Sequence, residues 1–516
     1  MKTPFLSLLP LLTLAACGWD LPNSGNAYLH LPLWDARGIQ ATVDGLYVPM
    51  PHNGGITLLA PGEDARRVDI GEGRVVNITV PPASSAATVA AVIERYRCEV
   101  DDKKEARKVD RLADCADEDL KVDVEIDLIA GGVVTSSVPL DTPFRSMVWN
   151  AAGTHAIAWT DAATAAGIDG VVNLTSVTVI DTIAGTATAV PVGFSATDVL
   201  FDDAGARAIV LSQSAVAVID LATSPPARDV TFALTLDPDQ VVTPVGVQLT
   251  PDGDYALISV QGSSDLYVLD LVNNSVNIVT LDLAPSAMHV DPSDDLTVLV
   301  SATTAAVDIM DHRFFDVTRV QLDEAMDAII DGDGFDLLYG RNHRDVYRLD
   351  PLTGDIVEFR LQNPLLSLHL APTEEFAIAF TAQGAVDGRP GMEILDLRDT
   401  RGHSYPYLLE GVGIDAKFTV DDAGLLHALI LQSDVTYLYA LDLYGGTARE
   451  IELDEPPIGI GARAEGGFYV THDDPLGLVS LVDPTTDAIE TIAGFGTLGI
   501  FDPIDFVVQP GQEETP

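Results

Sequence analysis

The chain has 516 residues, 78 of them acidic and 28 basic, for a formal net charge of −50 at pH 7. So negative a surface repels nucleic acid and anionic headgroups, which excludes both as electrostatic partners. Hydrophobic residues make up 47% of the chain and the acids are scattered through it, which excludes wholesale disorder.

Met1-Lys2 form a short positive start, followed by an apolar run from Phe5 to Leu14. A membrane-spanning helix needs about 20 apolar residues, so this run is too short. It has the size and flank of the apolar core of a secretory signal. It ends in Leu14-Ala15-Ala16-Cys17-Gly18, which resembles the bacterial lipobox. In that family the Cys thiol is diacylated, the peptide is cut before it, and the new amino terminus is acylated. The resemblance implies a signal peptide over 1–16 and a tether over 17–37, held in a lipid bilayer through Cys17. The competing reading is an ordinary signal peptide, but its cleavage site wants a small residue where Leu14 stands. Several acyl chains anchor stably where one is marginal. No later stretch is long and apolar enough to span, so the remainder is expected in the cell envelope, outside the bilayer. Gly18, in place of an Asp that would resemble an inner-membrane retention signal, points to the outer membrane or cell surface of a Gram-negative host.

With Cys17 committed to lipid, Cys98 and Cys115 are the only remaining thiols. An oxidising compartment favours a disulfide between them, and the metal alternative lacks a His or third Cys in the interval. Closing so short a loop stabilises by about 3 kcal/mol in the chain-entropy view. The surrounding segment, 95–121, reads as a charged insertion, a hairpin or lid stapled by that bridge. Lys103, Lys104, Arg107 and Lys108 make it the densest basic stretch, a candidate binding surface for an acidic partner. A solvated loop balancing local acids is the bland alternative.

Most of the chain repeats. A short alternating apolar run ends in Asp and a turn: Val-Thr-Val-Ile-Asp181, Val-Ala-Val-Ile-Asp220, Leu-Tyr-Val-Leu-Asp270, Val-Asp-Ile-Met-Asp311, Val-Tyr-Arg-Leu-Asp350 and Met-Glu-Ile-Leu-Asp396. Further copies end at Asp442 and Asp483, a looser one at Asp127, and one without the acid at Ala60. The ten copies are mostly about 40–50 residues apart, the interval of one four-stranded propeller blade. Each is preceded by a turn between apolar strands, such as Thr250-Pro251-Asp252-Gly253-Asp254. Pro presets φ there, Gly accepts positive φ, and Asp bonds its own backbone. Strand, turn, strand, loop, strand, turn, strand is the pattern of an antiparallel blade.

The Tyr-Val-Leu-Asp and Val-Ile-Asp-Leu strands resemble those of the YVTN-type and lactonase-like bacterial β-propellers, over about 38–510, with 511–516 as a tail. The resemblance implies an all-β fold of about ten four-stranded antiparallel blades. One large ring is favoured over two tandem propellers, because no linker divides the middle of the chain. The Gly-His…Trp-Asp signature of WD40 repeats is missing, as are the tryptophan motifs of quinoprotein dehydrogenases. Ile504-Asp505-Phe506-Val507-Val508 matches the first strand of a unit, so the last strand is expected to complete the first blade and close the ring. A trailing edge strand is the alternative.

Chemistry is sparse. His289 and His369 occupy equivalent places on innermost strands two units apart. They are channel candidates as metal ligands or bases, against packed, hydrogen-bonded histidines with no third ligand in sight. Asp198, Asp327 and Asp505 recur on inner strands, and Asp331-Gly332-Asp333-Gly334 partly resembles a calcium loop, so Ca²⁺ is the one cofactor to consider. Every unit needs acidic turn residues in any case. With no recognisable catalytic set, the expected function is a binding or scaffold module for a protein, glycan or cation partner. The alternative is a lactonase-like hydrolase with a metal or acid–base site in the channel.

Overall fold

The computed structural model describes residues 38–510 apart from 51–54, 72, 82–87, 101–119, 166–171, 236, 238–240, 292–294, 383–387, 421–423, 465 and 498–506. Cys17, Lys103, Lys104, Arg107, Lys108, Cys115 and Asp505 lie outside the described residues, as do the signal, the tether and the tail. Cys98 is fully buried.

Ten antiparallel sheets follow one another along the chain, and their strands pair in sequence order, the first of each blade innermost. Blade 4 is typical. Its strands Ala196–Phe201, Arg207–Ser212, Ala215–Asp220 and Ala227–Ala233 lie side by side. The second strand reads Ala208-Ile209-Val210-Leu211 and is buried throughout, since both of its faces meet neighbouring blades. The outermost strands face solvent instead, as in blade 5, where Ser275–Thr280 is almost wholly exposed.

Apolar side chains cluster once at every seam between blades. Ile157 and Val179 of blade 3 meet Val199 and Val210 of blade 4. Nine comparable clusters fill the other seams, including the one where Val479, Leu481 and Phe495 of blade 10 meet Leu46, Val48, Met50 and Leu59 of blade 1. Ten blades with ten apolar seams form a single closed ring, and the protein is a β-propeller.

Closure itself differs from the expectation. Blade 1 owns all four of its strands, Gln40–Thr42, Gly45–Met50, Gly55–Leu59 and Arg66–Val68. The last strand of the chain, Val507–Pro510, runs parallel to Arg97–Val100 of blade 2 instead of completing blade 1. The physical reason is that blade 2 carries an overlong second strand, Thr88–Val100, paired with Leu120–Ala130. Its inner neighbour Arg74–Thr79 covers only the portion up to Glu94, so the remainder offers a free edge.

The repeated Asp serves one purpose in eight blades. At the end of the third strand, the carboxylates of Asp181, Asp220, Asp270, Asp311, Asp350, Asp396, Asp442 and Asp483 accept from backbone N–H groups two or three residues on. These are Asx turns. Asp127 does not belong to the series. It lies inside its strand, 1% exposed, and accepts from the Ser137 hydroxyl.

Candidate metal centre between blades six and seven

His289 stands on the innermost strand of blade 6, Ala287–Asp291. Asp331 and Asp336 face each other across the first hairpin of blade 7, in the register Asp331↔Asp336. The tight turn at Gly332 to Phe335 carries both acids to the seam, with Gly334 at φ +74°. His289 Nδ1 lies 2.7 Å from Asp336 Oδ1, and its Nε2 lies 3.3 Å from Asp331 Oδ1. The Asp336 side chain is 1% exposed, whereas that of Asp331 is 61% exposed. The centre therefore has a buried floor and an open rim. Among the described residues these three form the one group of metal-ligand side chains whose donor atoms all lie within 4.8 Å of one another.

The contact between His289 and Asp336 is close but poorly aligned. Neither Asp336 oxygen, nor the ring Nδ1, is in hydrogen-bond geometry with any group. Burial pushes the Asp336 carboxyl up, with His289 opposing and Asp331 and Asp291 adding to the rise. Burial alone would lower His289, but Asp336, Asp331 and Asp291 outweigh it and hold the imidazole above its usual value. A half-buried base among three carboxylates is a site short of positive charge.

His369 occupies the matching place in blade 8. Each histidine pairs across to the same position of the second strand, His289 to Val298 and His369 to Ile378. Its surroundings differ. His369 Nε2 is 3.2 Å from Ser367 Oγ, its Nδ1 is 3.8 Å from Asp415 Oδ1, and its ring meets Phe380 edge-on. Burial lowers its pKa, Asp415 opposes, and Lys417 reinforces the lowering.

Of the expected acidic set, Asp505 lies outside the described residues, and Asp198 and Asp327 do not share one position. Asp198 pairs with Leu211, and the equivalent pair in blade 7 is Ala328 with Tyr339, which leaves Asp327 one residue out of register. Both acids are exposed. The position of Asp198 recurs as Asp415 in blade 9 and Ser367 in blade 8. Asp336 was not anticipated, although the sequence marks it. Second strands read His155-Ala-Ile, Arg207-Ala-Ile, Tyr255-Ala-Leu, Phe376-Ala-Ile and His427-Ala-Leu, against Phe335-Asp336-Leu in blade 7.

No protein-family model matches the chain, and no curated protein matches it. Solved structures similar to it include the dihydro-heme d1 dehydrogenase NirN, at 12% identity and TM-score 0.39, over 63% of this chain and 74% of that one. Virginiamycin B lyase from Staphylococcus aureus matches at 13% identity and TM-score 0.30, over 48% of this chain and 83% of the other. At such scores the likeness carries nothing about activity; the protein is placed by its own ten blades as a β-propeller.

Proposed function

We propose that this protein is a non-catalytic binding scaffold of the cell envelope, fastened to a bilayer through a lipid on Cys17, whose ring serves a protein, glycan or cation partner. The observation that carries the reading is the seam between blades 6 and 7. Beside the apolar cluster of that seam, an imidazole meets two carboxylates at 2.7 and 3.3 Å. That group offers donor atoms to a ligand and contains no hydroxyl or thiol nucleophile. The ring supports it with a rigid surround, which lowers the ordering cost of binding. The basic stretch Lys103, Lys104, Arg107 and Lys108 belongs to the same reading as a second contact surface for an acidic partner.

A hydrolase is the second reading, favoured by Ser367, His369 and Asp415, which line up as hydroxyl, imidazole and carboxylate. Incubating the detergent-extracted protein with a panel of lactones and simple esters separates the two. The scaffold reading expects no turnover above a Ser367→Ala control. Turnover that disappears in Ser367→Ala and His369→Ala overturns it.

A further inference from the structure

We infer that the seam between blades 6 and 7 is a site for a first-row divalent transition ion of the zinc class, held by His289, Asp336 and Asp331. The inference rests on the binding reading and specifies its ligand. Three observations lead to it.

The first is the register of the repeat. The residue that pairs with the penultimate position of the third strand is Ala156, Ala208, Ala256, Ala377 and Ala428 in blades 3, 4, 5, 8 and 9. In blade 7 that residue is Asp336, paired with Leu349. Those alanines lie in the apolar clusters against the preceding blade. Across the first hairpin they face Trp149, Phe201, Leu249, Leu370 and Phe418, where blade 7 has Asp331. The fold therefore needs neither acid. Two facing apolar positions have become carboxylates in the one blade whose neighbour presents His289.

The second is the state of Asp336. Its side chain is 1% exposed and both oxygens lack a hydrogen bond. Other buried acids of the ring have donors aimed at them. Asp308 has Arg319, Glu94 has Arg74 and the Tyr96 hydroxyl, and Glu393 has Ser404 and the Gln362 N–H. A buried carboxylate whose close partner is the poorly aligned His289 imidazole at 2.7 Å is costly, and a cation supplies the further contacts the frame omits.

The third is the donor set. One imidazole nitrogen with two carboxylates suits Zn²⁺ and its neighbours, whose bonds of about 2.1 Å put adjacent donor atoms roughly 3.0–3.4 Å apart. The 2.7 Å separation of Nδ1 from Asp336 is a little under that, and the 3.3 Å contact of Asp331 belongs to the other ring nitrogen. Calcium wants six to eight oxygens and gains nothing from imidazole, so the Ca²⁺ considered from the sequence is not the ion that fits. Only one ring nitrogen can ligate. Nδ1 and Asp336 form the buried pair, and Asp331 sits on the Nε2 side, where a carboxylate steadies a metal-bound imidazole or swings in as third ligand. The exposed rim leaves room for water.

The test uses the full lipidated chain, extracted in detergent, stripped with chelator and titrated with Zn²⁺, Mn²⁺ or Ca²⁺ by calorimetry. One Zn²⁺ per chain is expected, with Ca²⁺ at least 100-fold weaker. Asp336→Ala installs the residue that five other blades carry, so it folds at least as well as the parent while Zn²⁺ affinity falls at least 100-fold. His289→Gln falls similarly. A Co²⁺-loaded sample reports the nitrogen ligand by its visible spectrum, which changes in His289→Gln. Zero stoichiometry in the parent, or unchanged affinity in a folded Asp336→Ala, overturns the site and leaves the scaffold reading standing. Ester turnover with normal Zn²⁺ binding overturns the scaffold reading and leaves the site.

Discussion

Replacing Phe495 by Ala tests how the ring is held shut. Phe495 opens a short 3-10 turn, is 1% exposed, and packs with Leu46, Val48, Met50 and Leu59 across the last seam. Its position is fixed by backbone: Gly494 donates to the Gly477 carbonyl at 2.8 Å, and Gly496 to that of Leu476 at 2.7 Å. Gly477 lies under the ring at φ +87°, and a Cβ there would come within 2.7 Å of the Phe495 ring. With backbone on one side and two blades on the others, the pocket collapses poorly after truncation. The cost therefore falls within the usual range for buried Phe to Ala, about 3–5 kcal/mol. Because this seam joins the two ends of the repeat, the loss is expected as local opening. Amide hydrogen exchange should accelerate roughly 150- to 4000-fold in blades 1 and 10, the factor that free energy corresponds to. Blades 4 to 6 should change far less. Exchange in blades 1 and 10 that matches the parent refutes the view that Phe495 closes the ring.

Deleting residues 507–516 should leave the ring closed, since blade 1 has its own four strands; exchange should rise only along Arg97–Val100, and a loosened blade 1 would contradict this. Arg319→Leu strands the carboxylate of Asp308, 1% exposed, and should cost up to about 3 kcal/mol in urea unfolding, with most of it recovered in the double variant Arg319→Leu/Asp308→Asn. Burial lowers the pKa of His472, which is hydrogen-bonded to Ser480 and the Glu455 carbonyl. The unfolded chain then takes up the proton first, so this contribution is complete above the unfolded pKa of about 6.5 and is lost as pH falls below it. The urea midpoint should drop between pH 7 and 5.5, and drop less in His472→Gln. Cys17→Ser should release the protein from the membrane fraction; unchanged fractionation and mobility would remove the anchor.

The blades were legible in the sequence because short apolar strands recur at a regular interval and the third strand of eight blades ends in an Asp with a fixed local duty. Asp350 needs only the N–H groups of Leu352 and Thr353, so its role is written within four residues. The docking of the last strand was not legible, because Val507 and Arg97 meet through a pairing 410 positions apart that no local pattern encodes. The similarity of 504–508 to a first strand was real, yet the free edge that received the last strand belonged to blade 2. The candidate metal site lay between these cases. His289 stood out alone, whereas Asp336 looks like an ordinary polar residue until its strand is aligned with Ala208 and Ala256. Only the register turns it into a buried carboxylate beside an imidazole.

The pairing of Val507–Pro510 with blade 2 has a consequence for how the molecule is made. Synthesis delivers the amino-terminal blades first, and nine of the ten seams join consecutive stretches of chain. Each of those can form as soon as its second blade has emerged. The tenth seam and the final strand cannot, because their partners were delivered some 400 residues earlier. Until the carboxy terminus arrives, Leu46, Val48 and Leu59 present an apolar face with no cover. A chain cut short by a premature stop keeps that face bare for good, along with the free edge of Arg97–Val100. Bare apolar surface and an unpaired strand edge both invite aggregation and proteolysis.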